Sequence, residues 1–175
     1  MILKSKLVLI SHCLLFLLLF CSGCGIYSFT GITVDPDIKT ISIQNIENSS
    51  GEGPANLTQL VTNGFKQTFQ RNTNLTIIQR EGDLQFEGNI VTFSLTPAAV
   101  QRTDQFDQAS LNRLTLGVQV RYTNTKNSEE NFDQLFSISQ DFAANVDITQ
   151  IPPSAIEEMT DRLVTEVLNK SLANW

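Results

Sequence analysis

The side chains best suited to nucleophilic or metal chemistry lie within the first 24 residues of this 175-residue sequence. They are Cys13, Cys21, Cys24 and His12, which is the only histidine. From residue 25 onward there is neither histidine nor cysteine, which excludes a histidine-based triad, a thiol nucleophile and a His- or Cys-ligated zinc site there. We therefore expect this part of the chain to bind rather than to catalyse, without a metal or cofactor.

The residues around these cysteines have the composition of an export signal. Lys4 and Lys6 give the N-terminus positive charge, and the apolar run Leu7–Phe20 follows them. This run of 14 residues is shorter than the ~20 apolar residues that a membrane-spanning helix needs. A charged start before a short apolar run is typical of a secretory signal peptide. An uncleaved anchor helix is the alternative interpretation.

Cys24 is the residue expected to be modified after export. Ser22 and Gly23 precede it directly, which resembles the lipobox of bacterial lipoproteins, with Cys21 in place of the usual leucine. Cys21 is a poor alternative site because the bulky Phe20 would occupy the cleavage position. Cleavage before Cys24 predicts a mature lipoprotein that is held at a membrane by acyl chains such as palmitate, at ~0.8 kcal/mol for each buried CH₂.

On this interpretation the chain has three parts. Residues 1–23 are the lipoprotein signal peptide, residues 24–37 are a short tether, and residues 38–175 are a single α/β domain. Loss of Lys4 and Lys6 with the signal changes the net charge from −6 to −8. A chain this acidic, without a basic run, is a poor nucleic-acid binder. Membrane attachment must then depend on the acyl chains rather than on charge.

The apolar residues of the mature chain predict the element order β-α-β-β-β-α. Strands are predicted where apolar and polar residues alternate, and helices where apolar residues recur every three or four positions. A change of parity at Ile90 and Val91 predicts a β-bulge, and Ser154 with Glu157 matches a capping box. The expected strands are 38–46, 84–96, 114–122 and 132–142, with a doubtful one at 75–78, and the expected helices are 56–71 and 154 towards Trp175.

These elements predict a two-layer α/β sandwich of the α+β class. Two amphipathic helices can cover one face of a four-stranded, mostly antiparallel sheet. The opposite face carries Thr, Ser, Gln and Gly, and we expect it to be wet or to meet a partner. Gly64 lies beside the apolar stripe of the first helix, where we expect close packing against the sheet.

Arg113 and Arg121 are the candidate ligand-binding residues. Their parity places both on the polar side of one strand, where anionic lipid phosphates are the expected ligands. The alternative is a scattered basic surface. Asp83 and Glu87 are interpreted as solvated carboxylates, because their spacing has no special catalytic meaning.

Five short segments carry a resemblance to a known family. They read GCGIYSF at 23–29, KTISI at 39–43, GDLQFEG at 82–88, LNRLT at 111–115 and ANW at 173–175. With the element order, they resemble the LptE family of lipopolysaccharide-assembly lipoproteins over nearly the whole mature chain. The resemblance implies an outer-membrane lipoprotein that faces the periplasm, binds the LptD β-barrel and helps to deliver lipopolysaccharide to the cell surface. No lipopolysaccharide-binding residue of the family is matched position by position.

Two other classes of protein stay open at this point. One is a periplasmic scaffold or ligand-binding lipoprotein of another envelope complex. The other is a hydrolase that uses only Asp, Glu, Ser or Lys, which predicts acidic residues clustered in a pocket. The sequence shows no such cluster, so we expect no enzymatic activity. Capture of a large β-barrel partner by the lipidated protein favours the resemblance over the scaffold interpretation.

Replacement of Cys24 tests the predicted processing. Cys24→Ala should leave an unprocessed precursor and abolish labelling by a radioactive or clickable fatty acid, because no thiol remains at the mature N-terminus. Mass spectrometry of the unmodified protein should show a mature chain that starts at Cys24. A mature start at any other residue contradicts the prediction.

Overall fold

The computed structural model describes residues 34–98 and 111–172. The predicted signal peptide, Cys24 and most of the predicted tether lie outside these residues, as does Trp175. The strands are β1 Thr40–Ile43, β2 Glu47–Asn48, β3 Thr76–Ile78, β4 Leu84–Pro97, β5 Leu111–Asn124 and β6 Phe132–Ala143, and the helices are α1 Leu57–Asn72 and α2 Pro153–Leu172. Two short 3-10 turns, Ser128–Glu130 and Ile148–Gln150, precede β6 and α2.

The six strands form one mixed sheet in the order β3-β1-β4-β5-β6, with β2 also paired to β4. The three long strands β4, β5 and β6 are antiparallel, whereas β1 is parallel to both β3 and β4. The α+β class and the two helices are confirmed, and the sheet is larger than the four strands expected from the sequence.

Two features of the short strands explain the larger sheet. The expected first strand, 38–46, is interrupted because Ile46 turns into the core, where its N–H donates to Thr62 Oγ1 at 2.9 Å. The chain then resumes pairing with β4 as the two-residue strand β2. The doubtful strand near residue 75 does form, because α1 returns the chain beside β1 and a parallel ladder starts at Thr76.

The core lies between the helices and one face of the long strands. Each helix buries its apolar stripe, and β5 contributes the alternate residues from Leu114 to Tyr122. A chain of tilted aromatic rings crosses this layer, with centroids 4.7 to 5.9 Å apart, in the range of favourable aromatic pairs. The rings belong to Phe69, Phe86, Tyr122, Phe132 and Phe136. Burial raises the pKa of the Tyr122 hydroxyl.

The predicted bulge is present in β4. The register with β5 shifts between Ile90 and Thr92, so Ile90 and Phe93 both point into the core. Without a bulge at Val91, regular alternation from Ile90 would bring Phe93 to the outer face.

Gly64 marks close packing, but against α2 rather than the sheet. A Cβ on Gly64 would lie 2.5 Å from Thr160 Cγ2, so only glycine lets the two helices approach this closely.

The predicted capping box at Ser154 is wrong, because α2 begins one residue earlier at Pro153. Proline suits the first helical position because its missing N–H would have no partner there. A capping box forms instead at Asp147 and Gln150, around the preceding 3-10 turn.

Truncation of the core should destabilise the domain strongly. Leu116 on β5 and Leu163 on α2 are fully buried, so Leu116→Ala and Leu163→Ala should each lower the free energy of unfolding by about 2–5 kcal/mol. Leu135→Ala is the matched control, since Leu135 on β6 is 50% exposed and leaves no cavity. Urea unfolding measures all three variants, and equal stability losses would contradict the assigned core.

Candidate functional site

The outward side of β4, β5 and β6, opposite the helices, forms what we call the open face. Its side chains stand in cross-strand rows set by the register, such as Thr96, Arg113 and Asp141 or Ser94, Thr115 and Ser139. Polar residues dominate these rows, as the sequence predicted. The open face is therefore the surface of the sheet that is available to a ligand or partner.

Arg113 lies at one end of the open face in a bidentate ion pair with Asp141. The two residues are direct cross-strand neighbours. Arg113 Nε lies 2.7 Å from Asp141 Oδ1, and Nη2 lies 2.9 Å from Oδ2. The hydrogen-bonded pair raises the pKa of Arg113 and lowers that of Asp141. Both groups stay charged at neutral pH, and the guanidinium fork is already occupied by a carboxylate.

Arg121 lies at the other end of the open face, between two carboxylates. Its Nη2 is 3.1 Å from Asp133 Oδ2 and its Nη1 is 3.7 Å from Glu87 Oε2. Gln119 Nε2 donates to the same Asp133, and these hydrogen bonds, with Gln119 first, lower the pKa of Asp133. A shallow cleft of about 210 Å³ surrounds this cluster. Two acids and one base give it a net negative charge.

The two arginines do not form one site. Both are exposed on the open face, as their parity predicted. They are eight residues apart on β5, which corresponds to about 26 Å at ~3.3 Å per residue. A single phosphate cannot reach both, so each arginine would hold its own group. Their role in ligand binding stays a prediction.

Apolar side chains are exposed on the open face as well. In the described ranges, the exposed large apolar residues are Val91 in the bulge, Leu111 at the start of β5 and Leu135 on β6, at 41%, 44% and 50%. Leu135 leans over Gly117, since its Cδ1 lies 3.6 Å from the place of a Cβ there. Single exposed apolar residues are common on protein surfaces, and these three are of interest because they share the open face.

The Asp83 carboxylate is not solvated but bound to Lys39, Thr40 and Lys126, an arrangement that we call the Asp83 junction. Its Oδ2 accepts hydrogen bonds from the N–H groups of Lys39 and Thr40 at 3.0 Å and from Thr40 Oγ1 at 2.8 Å. Its Oδ1 lies 3.2 Å from Lys126 Nζ, and its backbone oxygen accepts from Thr125 N–H. The sequence interpretation missed this role, although the adjacent Gly82 was a sign of it.

Gly82 lets the chain approach β1 closely enough for these bonds. A Cβ at this position would lie 2.5 Å from the backbone nitrogen of Ser42 and 2.7 Å from the carbonyl carbon of Ile41. Backbone atoms cannot move aside as a flexible side chain can, so no other residue fits. Gly82 and Asp83 together therefore join β1, β4 and the turn after β5.

Within residues 34–98 and 111–172, no group of three His, Cys, Asp or Glu side chains is arranged to hold a metal ion. No helix in those ranges has the length and apolar composition to span a bilayer.

The Asp83 junction should make the domain sensitive to acid. Its hydrogen bonds, that from the Lys39 N–H first, hold the pKa of Asp83 well below its usual value. A depressed native pKa stabilises the fold above the unfolded value of about 3.9, and this stability is lost as the pH falls through the native pKa. Asp83→Asn should therefore lower stability at pH 7, with a difference from the unmodified protein that shrinks below about pH 4.

Urea unfolding between pH 7 and pH 2 measures this difference. Asp37→Asn is the matched control, because Asp37 is exposed and its carboxylate makes no hydrogen bond in the described structure. A difference for Asp83→Asn that stays constant over this range would show that the carboxylate charge contributes nothing.

Solved structures share the fold of this chain. The hypothetical protein CT253 from Chlamydia trachomatis matches with a TM-score of 0.52 and 11% identity, covering 78% of this chain and 99% of that one. Protein XCC0632 from Xanthomonas campestris matches with a TM-score of 0.52 and 12% identity, covering 81% and 90%. At such low identities the likeness shows the fold alone.

Sequence comparison gives the family. No curated protein matches the chain, whereas the family model for lipopolysaccharide assembly, LptE, matches residues 38–171. The matched range contains α1, all six strands, the Asp83 junction and all of α2 except its last residue, Leu172. It spans well over half of the chain, and the resemblance found in the five short segments is thereby confirmed. The chain belongs to the LptE lipopolysaccharide-assembly family.

Proposed function

We propose that this protein is an outer-membrane lipoprotein, anchored through Cys24 on the periplasmic side, that binds an LptD-like β-barrel and assists lipopolysaccharide transport to the cell surface. The observation that carries the proposal is the family match over residues 38–171. The short predicted tether, residues 24–37, would keep the domain close to the bilayer that holds its lipid.

The sheet offers the surface for the barrel. The helices seal one face, so the open face and the outer edge of β6 are left for a partner. β6 is an edge strand of 12 residues, and within the described ranges no strand pairs with its outer side. Such an edge presents N–H and C=O groups to a neighbouring chain. Leu135 is exposed on this strand and supplies an apolar contact point.

The arginines of the open face are the proposed contacts for lipopolysaccharide phosphates. Arg113 and Arg121 are engaged by carboxylates, but both ion pairs are exposed to water, which screens them. A phosphate group can accept the same bidentate pair of hydrogen bonds from a guanidinium as a carboxylate does. Exchange of Asp141 or Asp133 for a phosphate therefore needs little energy, and it would leave the exposed carboxylate in water.

Binding, rather than catalysis, is the proposed mode of action. The mature chain has no histidine and no thiol other than that of Cys24. The Asp83 carboxylate is held by hydrogen bonds within the fold, and Glu87 and Asp133 both face Arg121. These acids are engaged in structural contacts instead of forming an acid/base pair.

Depletion and capture in the native cell test the proposal. The full, lipidated chain should co-purify with a large outer-membrane β-barrel, and its depletion should impair barrel maturation and reduce surface lipopolysaccharide. If the barrel still matures and surface lipopolysaccharide is unchanged, the proposed role is wrong.

Variants of the open face sharpen this test. Leu135→Asp places a charge at the proposed contact and should reduce barrel capture, because desolvation of an unpaired carboxylate opposes binding. Gln70→Asp is the control on the exposed side of α1. Equal capture by both variants would show that the open face is not the contact surface.

A further inference from the structure

A polar groove runs beside α1 and is lined by residues other than those of the open-face cleft. Two clefts of about 500 and 570 Å³ form it, and Asn45 and Lys66 line both. One cleft follows the first half of α1 from Asn56. The other passes the ends of the parallel strands β1 and β3 and reaches Arg80. We call the combined space the α1 groove, and each cleft has the size of a small-molecule site.

The α1 groove carries an excess of positive charge in an acidic protein. Lys66 and Arg80 line it with Glu47 as the only acid. Neither base forms an ion pair within the described residues.

The other described clefts that contain a base carry the opposite charge. The cleft between the helices has Arg71 among three carboxylates, Glu157, Glu158 and Asp161. The cleft on the open face has Arg121 with two, Glu87 and Asp133. An anion would therefore meet an uncompensated positive charge in the α1 groove, whereas in these two clefts it would have to displace a carboxylate from the base.

Lys66 is placed at the junction of the two clefts. It is half-buried, whereas every other basic side chain of the described ranges is exposed. A half-buried lysine packs its stem along the protein and directs its ammonium to the nearest open space, which here is the groove. Arg80 lines the second cleft together with Lys66. The chain turns sharply directly after it, with Glu81 at φ 58 and Gly82 packed against β1.

The neutral lining of the groove complements hydroxyl groups and apolar ring faces. Amides supply donors and acceptors together, and five of them form no side-chain hydrogen bond within the described structure. These are Asn45, Asn56, Gln59, Asn63 and Gln79. Three isoleucines, Ile43, Ile77 and Ile78, add an apolar surface beside them.

We propose that the α1 groove binds a phosphate-bearing saccharide, with the phosphate between Lys66 and Arg80 and the sugar hydroxyls on the amides. The ligand is either the headgroup of a glycolipid or a free sugar phosphate, which share this chemistry. Only binding of the glycolipid, lipopolysaccharide, rests on the proposed function; binding of a free sugar phosphate does not. The groove is a different site from Arg113 and Arg121.

Binding by the full chain in non-ionic detergent tests the groove. The ligands are lipopolysaccharide, enzymatically dephosphorylated lipopolysaccharide and glucosamine 1-phosphate, and titration calorimetry gives the affinities. Lys66→Gln with Arg80→Gln should weaken binding of the phosphorylated ligands by at least about tenfold, since two charge-assisted contacts are lost. Arg162→Gln with Lys170→Gln, the control on α2, removes the same charge from exposed positions outside the clefts and should leave the affinities unchanged.

Protection of the unmodified chain gives a second readout that does not depend on a variant folding. A bound ligand should shield the Lys66 amine from an acylating reagent, measured by mass spectrometry, while Lys170 stays reactive. Equal labelling of Lys66 with and without ligand, or equal loss of affinity in the groove and control variants, overturns the proposal.

The three ligands separate this proposal from the proposed function. Lipopolysaccharide binding that the groove variant leaves intact overturns the groove and keeps the transport role. Binding of glucosamine 1-phosphate through Lys66, without lipopolysaccharide binding, supports the groove and contradicts lipopolysaccharide recognition. Failure of the unmodified chain to bind any phosphorylated ligand overturns the groove proposal.

Discussion

The close contact of Gly82 and Asp83 with β1 is the constraint on which the other features depend. One carboxylate accepts three hydrogen bonds from Lys39 and Thr40, and the absence of a Cβ on Gly82 lets it do so. This contact fixes the register of β1 on β4, and β1 in turn carries β3. The ends of β1 and β3 then form part of the α1 groove. A strand of four residues cannot hold such a position by its own ladder alone, so a side-chain anchor compensates for its length.

The long elements could be predicted from the sequence and the short ones could not. β5 alternates apolar and polar residues without interruption, and its partner β6 follows after a polar turn. Their antiparallel pairing can therefore be predicted from the sequence. The bulge at Val91 can be predicted as well, because the change in the parity of the apolar residues is local to the sequence of β4. β2 and β3 have two and three residues, too few for a periodic pattern. Their pairing depends on where α1 returns the chain, which is a property of tertiary packing.

The residues of the candidate site also divide into features that the sequence predicts and features that it does not. Alternation along β5 placed Arg113 and Arg121 on one face correctly. Their partners Asp141 and Asp133 come from β6, and which residues stand opposite depends on the register that the turn imposes. Lys66 and Arg80 belong to a helix and to the loop after β3, and only the β1-α1-β3 crossover brings them into one groove. Their sequence separation carries no motif that would have indicated a shared site.

The distribution of charge explains how one small domain could serve both a protein partner and an anionic ligand. On the open face each base is paired with at least one acid, and these exposed ion pairs are screened by water. Such a face suits an extended contact with a protein, where unpaired charges would have to be desolvated. In the α1 groove two bases stand against one acid, Glu47, and in an acidic protein that imbalance attracts anions to one place. The α1 groove and the open face have different lining residues, although Gln44 of the groove donates a hydrogen bond to Glu87 of the open face.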